Sequence, residues 1–268
     1  MKICSYHSNL YFDSFCQHVA EMKAKGFDVI LFCITETDMR FNMEIFTEFK
    51  TYAEGEGLEC WATFWGLFAG EAVCTANEIG EKKIYLSRWL EKVINIGFNH
   101  IFIDEPKQAS LNEIIHILPG FNNNQQAEGG KEVNFHLCLS DETFNELPDD
   151  KIKRLPFKSV GVSCYHWVKD WIKICDRTEA ITKRLHLLRP ADNFIFLQGF
   201  DIPAGWEDIP MMVKEIAEVY GIVNFGFWSF RSTAATGSKR PVNHEKVWEK
   251  VRFGRPYSIS LQGQMDVL

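Results

Sequence analysis

Several things are missing from this chain, and each absence narrows what it does. Its eight cysteines (Cys4, Cys16, Cys33, Cys60, Cys74, Cys138, Cys164 and Cys175) contain no CxxC pair, so neither a zinc ribbon nor a redox dithiol is indicated. They are dispersed, and several sit inside apolar runs, the pattern of reduced core thiols in a cytoplasmic protein rather than of a disulfide framework. No apolar stretch approaches the roughly 18 residues a membrane span needs. The opening MKICSY has no charged-then-apolar leader, so neither a membrane partner nor secretion is expected. Lys and Arg number 29 against 36 Asp and Glu, a net charge of -7, without a basic stripe, which argues against nucleic acid as a partner. GxGxxG is absent after the first apolar run, where His7, Ser8 and Asn9 follow, so the fingerprint of a dinucleotide-binding sheet is missing.

What is present is alternation. The chain has 268 residues, 46% of them hydrophobic and 24% charged, which is ordinary globular usage with enough apolar mass for one large core. Short β-rich runs occur at 2–6, 27–34, 59–65, 100–104, 134–140, 159–165, 193–199 and 224–230. Between them lie segments with apolar residues three and four apart, at 13–25, 43–53, 79–96, 110–118, 149–155, 171–188, 209–220 and 242–251, several stopping at a glycine such as Gly26, Gly55, Gly97 or Gly221. Such glycines suit a left-handed helix cap. Eight strands each followed by a helix predict a closed α/β (βα)8 TIM barrel, one domain over 1–268. The fifth helix, DDKIKRL, is short. The polar stretch FNNNQQAEGGKE, 121–132, reads as a loop on the bottom face, away from the chemistry.

In this fold the working groups stand at the C-terminal ends of the strands and in the loops that follow. Those positions hold His7, Glu36, Asp38, Trp65, Asp104, Glu105, Asp141, Tyr165, His166, Gln198, Asp201, Trp206, Trp228 and Arg231. The mouth is acidic and aromatic. Aromatic faces pack against the apolar face of a sugar ring, and carboxylates supply what glycosidic cleavage needs. The sharpest feature is IFIDEP, residues 101–106, which sets two carboxylates side by side at the end of a buried strand. Desolvating them is costly, so they are either exposed or held for chemistry. Neighbouring strand residues face opposite ways, so one of the pair points inward unless the backbone bends; Glu105 is the expected one. The expected substrate contacts are Glu36, Trp65, Tyr165, Gln198, Asp201, Trp228 and Arg231.

Asp104-Glu105-Pro106 resembles the Asn-Glu-Pro ending of strand four in the retaining glycoside hydrolases built on (βα)8 barrels, where the Glu is the acid/base. That resemblance implies Glu105 as general acid. The chain departs from the pattern in having Asp at 104, and where that clan carries a nucleophilic Glu on strand seven it has Gln198, with Asp201 the nearest carboxylate. The adjacent pair also resembles barrel β-N-acetylhexosaminidases, in which the Glu protonates the leaving group and the Asp orients the substrate's acetamido group as nucleophile. In that resemblance Asp104 orients, Glu105 protonates, and Tyr165 and Trp228 suit an acetamido pocket. Neither implies a cofactor.

Two other functions fit the same fold. A metal-dependent sugar isomerase or epimerase would draw ligands from His7, Glu36, Asp104, Glu105, His136 and His166, although neither HExxH nor HxH on the first strand is present. A barrel that binds carbohydrate without turnover is the third. The expectation carried forward is a glycosidase acting on a carbohydrate, with no metal, Glu105 as general acid and Asp104 as its partner.

Overall fold

The computed structural model describes residues 1–6, 11–64, 79–127, 132–166, 169–230 and 244–253. Eight strands, β1 (Lys2–Tyr6), β2 (Val29–Ile34), β3 (Glu59–Phe64), β4 (His100–Asp104), β5 (Asn134–Ser140), β6 (Ser159–Cys164), β7 (Asn193–Gln198) and β8 (Phe225–Phe230), pair in chain order as parallel neighbours. β8 returns to β1 and closes the barrel. Each strand is covered on both faces, which is why β2, sequence VILFCI, is buried at all six positions. Its residues part by alternation. Val29, Leu31 and Cys33 join Trp61, Phe102, Cys138, Phe194, Phe196 and Trp228 inside the barrel, while Ile30, Phe32 and Ile34 face the helical shell.

The interior is filled by large rings opposite missing side chains. A Cβ on Gly161 would lie 2.1 Å from the Phe194 ring, and one on Gly226 would lie 2.1 Å from the Phe196 ring. Those two glycines give the phenylalanines of β7 their space.

The shell comprises α1 (Phe12–Ala24), α2 (Glu36–Phe41), α3 (Met43–Gly55), α4 (Ile79–Asn95), α5 (Gln108–Ala127), α6 (Asp141–Glu146), α7 (Asp149–Lys153), α8 (Trp171–Leu188), α9 (Ile209–Val219) and α10 (His244–Lys250). Four differences from the sequence-based expectation follow from local structure. The polar stretch expected as a loop is helical over 121–127, because α5 runs through Pro119 instead of stopping before it. α2 was not expected, yet Thr35 and Asp38 form a reciprocal capping box at its start, with Asp38 N–H donating to Thr35 Oγ1 at 3.2 Å and Thr35 N–H to Asp38 Oδ2 at 3.0 Å. α6 likewise begins where Ser140 Oγ accepts from Thr143 N–H at 3.1 Å. The cap expected at Gly55 falls at Gly57, with φ 84°, since α3 continues through Gly55.

The lower end of the barrel interior holds a chain of hydrogen bonds at the N-terminal ends of β3 to β6. His100 Nε2 lies 2.9 Å from the Glu59 carboxylate, His100 Nδ1 lies 2.9 Å from His136 Nε2, and His136 Nδ1 lies 2.7 Å from Ser159 Oγ. Glu59 also accepts from Trp61 Nε1–H at 2.8 Å, and it is held ionised at a pKa of about 2 by those donors. An ionised acceptor makes His100 Nε2–H the donor to Glu59 and leaves the His100–His136 and His136–Ser159 contacts to complete the chain. Burial holds His136 neutral, and both imidazoles stack beside Trp61, His136 at 3.8 Å and His100 at 5.3 Å between ring centroids.

Seven cysteines among the described residues are free, and Cys4, Cys33, Cys60, Cys138 and Cys164 are buried; Cys74 lies outside those residues. No helix among the described residues is long and apolar enough to cross a membrane.

Candidate active site

At the mouth, β4 delivers Asp104 and Glu105. The alternation that turns Phe102 into the barrel interior brings Asp104 to the same face two residues later. Glu105 should then face outward, and its backbone prevents this. It takes φ 37°, a left-handed conformation that is uncommon outside glycine and is characteristic of strained functional positions. Its N–H still donates to Cys138 O of β5 at 2.9 Å, and the buried Pro106 follows, disfavouring a right-handed helical conformation at 105. The bend brings both carboxyls together, where one was expected to point in.

The neighbours of Glu105 are residues of β5 and β6. The Ser163 hydroxyl lies 3.3 Å from Cys138 Sγ and is near enough to the Glu105 carboxylate and the Tyr165 hydroxyl to favour the charged form of each. A serine has one proton to give.

Burial pushes the acids, thiols and phenol of this well toward their neutral forms. Burial raises Asp104 well above the ordinary carboxylate range, and the Glu105 charge adds to it. Burial raises Glu105 too; the Ser163 hydrogen bond opposes that rise and the Asp141 charge reinforces it. Burial, with the same two carboxylates, lifts Cys138 and Tyr165, and burial with Asp104 lifts Cys33. Both carboxyl residues nevertheless keep partial solvent access, so they are recessed but reachable. Two interacting acids in one recess titrate as a pair, each favouring the protonated form of the other.

The other expected residues divide. Tyr165 and Trp228 belong to the aromatic lining of the interior, with Phe200 edge-on to Tyr165 at 5.1 Å and Phe196 6.2 Å from Trp228. Gln198 is 1% exposed and its amide ties the scaffold: Oε1 accepts from His166 N–H at 2.7 Å and Nε2 donates to Phe200 O at 2.8 Å. Asp201 is half-buried in the loop after β7, at φ 50°. Trp65, Arg231 and His7 lie outside the described residues, as does the side chain of Glu36, whose backbone opens α2.

Of the described residues offered for a metal, Asp104 and Glu105 share a recess and the histidines do not join them. His136 is in the chain at the opposite end of the barrel, and His166 turns into the shell, its Nε2 3.0 Å from Thr178 Oγ1 of α8. Among the described residues no three His, Cys, Asp or Glu side chains converge. Ser163 and Cys138, by contrast, were not singled out from sequence. Counting back by two from Tyr165 and from Ser140 reaches them, but nothing in their residue type marks them.

No protein-family model matches the chain, and no curated protein matches it. Solved structures match in fold. GH5_18 from Streptomyces cattleya in complex with GlcNAc aligns with a TM-score of 0.62 and 9% identity over 94% of this chain and 74% of its own. The catalytic domain of a hyperthermophilic chitinase from Pyrococcus furiosus aligns at 0.56 and 11% identity over 85% and 83%. YKL-39, solved in the presence of chitooligosaccharides, aligns at 0.58 and 7% over 93% and 98%. At these identities the likeness is one of fold alone: the chain has the closed (βα)8 barrel that those structures share.

Proposed function

We propose that this protein is a glycosidase that cleaves N-acetylhexosaminides, with Glu105 as the general acid and Asp104 as the carboxylate that orients the substrate's own acetamido group. The observation that carries the reading is the bend at Glu105, which places two adjacent, elevated carboxyls in one recess. The mechanism requires a proton on Glu105, with Asp104 as the acceptor once the acetamido N–H meets it; burial by itself raises Asp104 the more strongly of the two. Glu105 transfers its proton to the glycosidic oxygen as the bond to C1 breaks. The acetamido carbonyl oxygen attacks C1 while Asp104 accepts the hydrogen bond of the acetamido N–H. Water, deprotonated by the Glu105 carboxylate, then attacks C1, restoring the acetamide and the acid. This route needs no enzyme nucleophile, which agrees with Gln198 standing on β7. Tyr165 and Trp228 supply apolar walls for the acetamido methyl. Three fold relatives solved as a chitinase, with GlcNAc and with chitooligosaccharides support the choice of sugar.

The test is hydrolysis of an aryl-glycoside panel that includes N-acetylhexosaminides, by wild type and Glu105→Gln, with and without chelator. Chelator-insensitive turnover that drops by about 10²- to 10⁴-fold in the variant supports the reading. Turnover unchanged in the variant removes Glu105 from the mechanism. Affinity for the sugar with no turnover in either protein identifies a binding barrel.

A further inference from the structure

Beyond the acids, the loops after β6 and β7 build two aromatic pairs, each with one ring from either loop. The inner pair is Tyr165 and Phe200, 5.1 Å apart at 83°, beside the carboxylates. The outer pair is Trp171, the first residue of α8, and Trp206, in the segment leading to α9, 5.1 Å apart at 82°. Both segments follow C-terminal strand ends, so the outer pair stands on the rim of the same mouth.

Trp171 is 38% exposed and its neighbour Ile172 is 73% exposed. Trp206 is half-buried against the core, which fixes the platform from below. The charged residues flanking Trp171 satisfy each other: the Asp170 carboxylate accepts from Lys173 N–H at 3.2 Å and pairs with Lys173 Nζ at 3.2 Å. What remains is an indole surface on that rim, partly exposed at Trp171 and backed by the core at Trp206. A sugar ring meets these requirements, with an apolar C–H face for the indole and hydroxyls left in water.

We propose that Trp171 and Trp206 form an outlying subsite for a second or later sugar unit, so that the substrate is an oligosaccharide rather than a single glycoside. The proposal rests on the glycosidase reading for its ligand class, and binding tests it separately from turnover. Binding of N-acetylglucosamine and of its β-1,4-linked tetramer would be measured by calorimetry in the Glu105→Gln background, alone and with Trp171→Ala, Trp171→Phe or Trp206→Ala. The expected result is tighter binding of the tetramer than of the monomer. Trp171→Ala and Trp206→Ala should reduce that advantage by about two- to tenfold, the range for one aromatic contact, and Trp171→Phe should retain most of it. Equal affinity for both lengths, or an advantage that survives both alanine variants with their melting temperatures intact, overturns the subsite. No binding at either length overturns it as well. Wild-type turnover of a short aryl glycoside with no length dependence in binding removes the subsite and leaves the glycosidase. Length-dependent binding lost in the alanine variants, without wild-type turnover, keeps the subsite and removes the glycosidase.

Discussion

The amide of Glu105 donates to the carbonyl of Cys138 across 2.9 Å while Glu105 itself stands at φ 37°. The strand is therefore still paired to β5 at the residue where its direction breaks. That break turns two neighbouring side chains to one side, which a regular strand never does. It has a conformational cost for a residue with a Cβ.

The cost is measurable. Glu105→Gly relieves the left-handed strain and Glu105→Ala does not, so the glycine variant should be the more stable by about 1 kcal/mol, the reverse of their usual order in regular structure. Urea unfolding of the two variants checks this. An alanine variant at least as stable would show that the site is unstrained. Both should lack glycosidase activity.

Ser163 sets how readily Glu105 ionises. Its hydroxyl stabilises the charged carboxylate, so Ser163→Ala should raise the Glu105 pKa further. A general acid works while protonated, and kcat/KM falls as pH rises through its pKa. The descending limb should therefore move to higher pH in Ser163→Ala and return toward wild type in Ser163→Thr. A profile that loses height without moving would mean that the serine only packs.

At the other end of the barrel, burial holds His136 neutral to a pKa of about 3, against an ordinary value near 6.5. The unfolded chain takes up a proton below about 6.5 that the folded chain refuses until about 3. Stability should fall over that window by at most about 1.4 kcal/mol per pH unit. Glu59, held at about 2, adds a smaller loss below its ordinary value, discounted because its side chain is 49% exposed. Subtracting the pH dependence of His136→Phe from that of wild type isolates the histidine; parallel curves would contradict its buried neutral state. The variant also leaves His100 Nδ1 without its His136 partner, which should cost about 1–3 kcal/mol at neutral pH.

Gly226→Ala drives a Cβ to 2.1 Å from the Phe196 ring. Overpacking of this kind costs about 1–3 kcal/mol. Adding Phe196→Leu should recover part of it, since the two residues share one space. Additive losses in the double variant would show that the glycine matters for another reason.

Much of this molecule is legible along the chain. Strand and helix periodicities are local, so eight βα units and the barrel that closes on them follow from the order of apolar residues, and strand ends mark Asp104, Glu105, Tyr165 and Trp228 as mouth residues. The TETD signature at Thr35 and the SDET at Ser140 were readable as caps too, though each lies in what looked like a loop. Tertiary structure decided the rest. The direction of Glu105 depends on one backbone angle, held by a hydrogen bond to a strand that begins 29 residues later. Ser163 acts through proximity to a carboxyl on another strand. Gln198 is at the mouth by position but is drawn into the scaffold by His166, and Pro119 fails to end α5. Periodicity assigns a residue to a face; it does not say which atoms from other strands meet it there, and that meeting sets the protonation of the two acids.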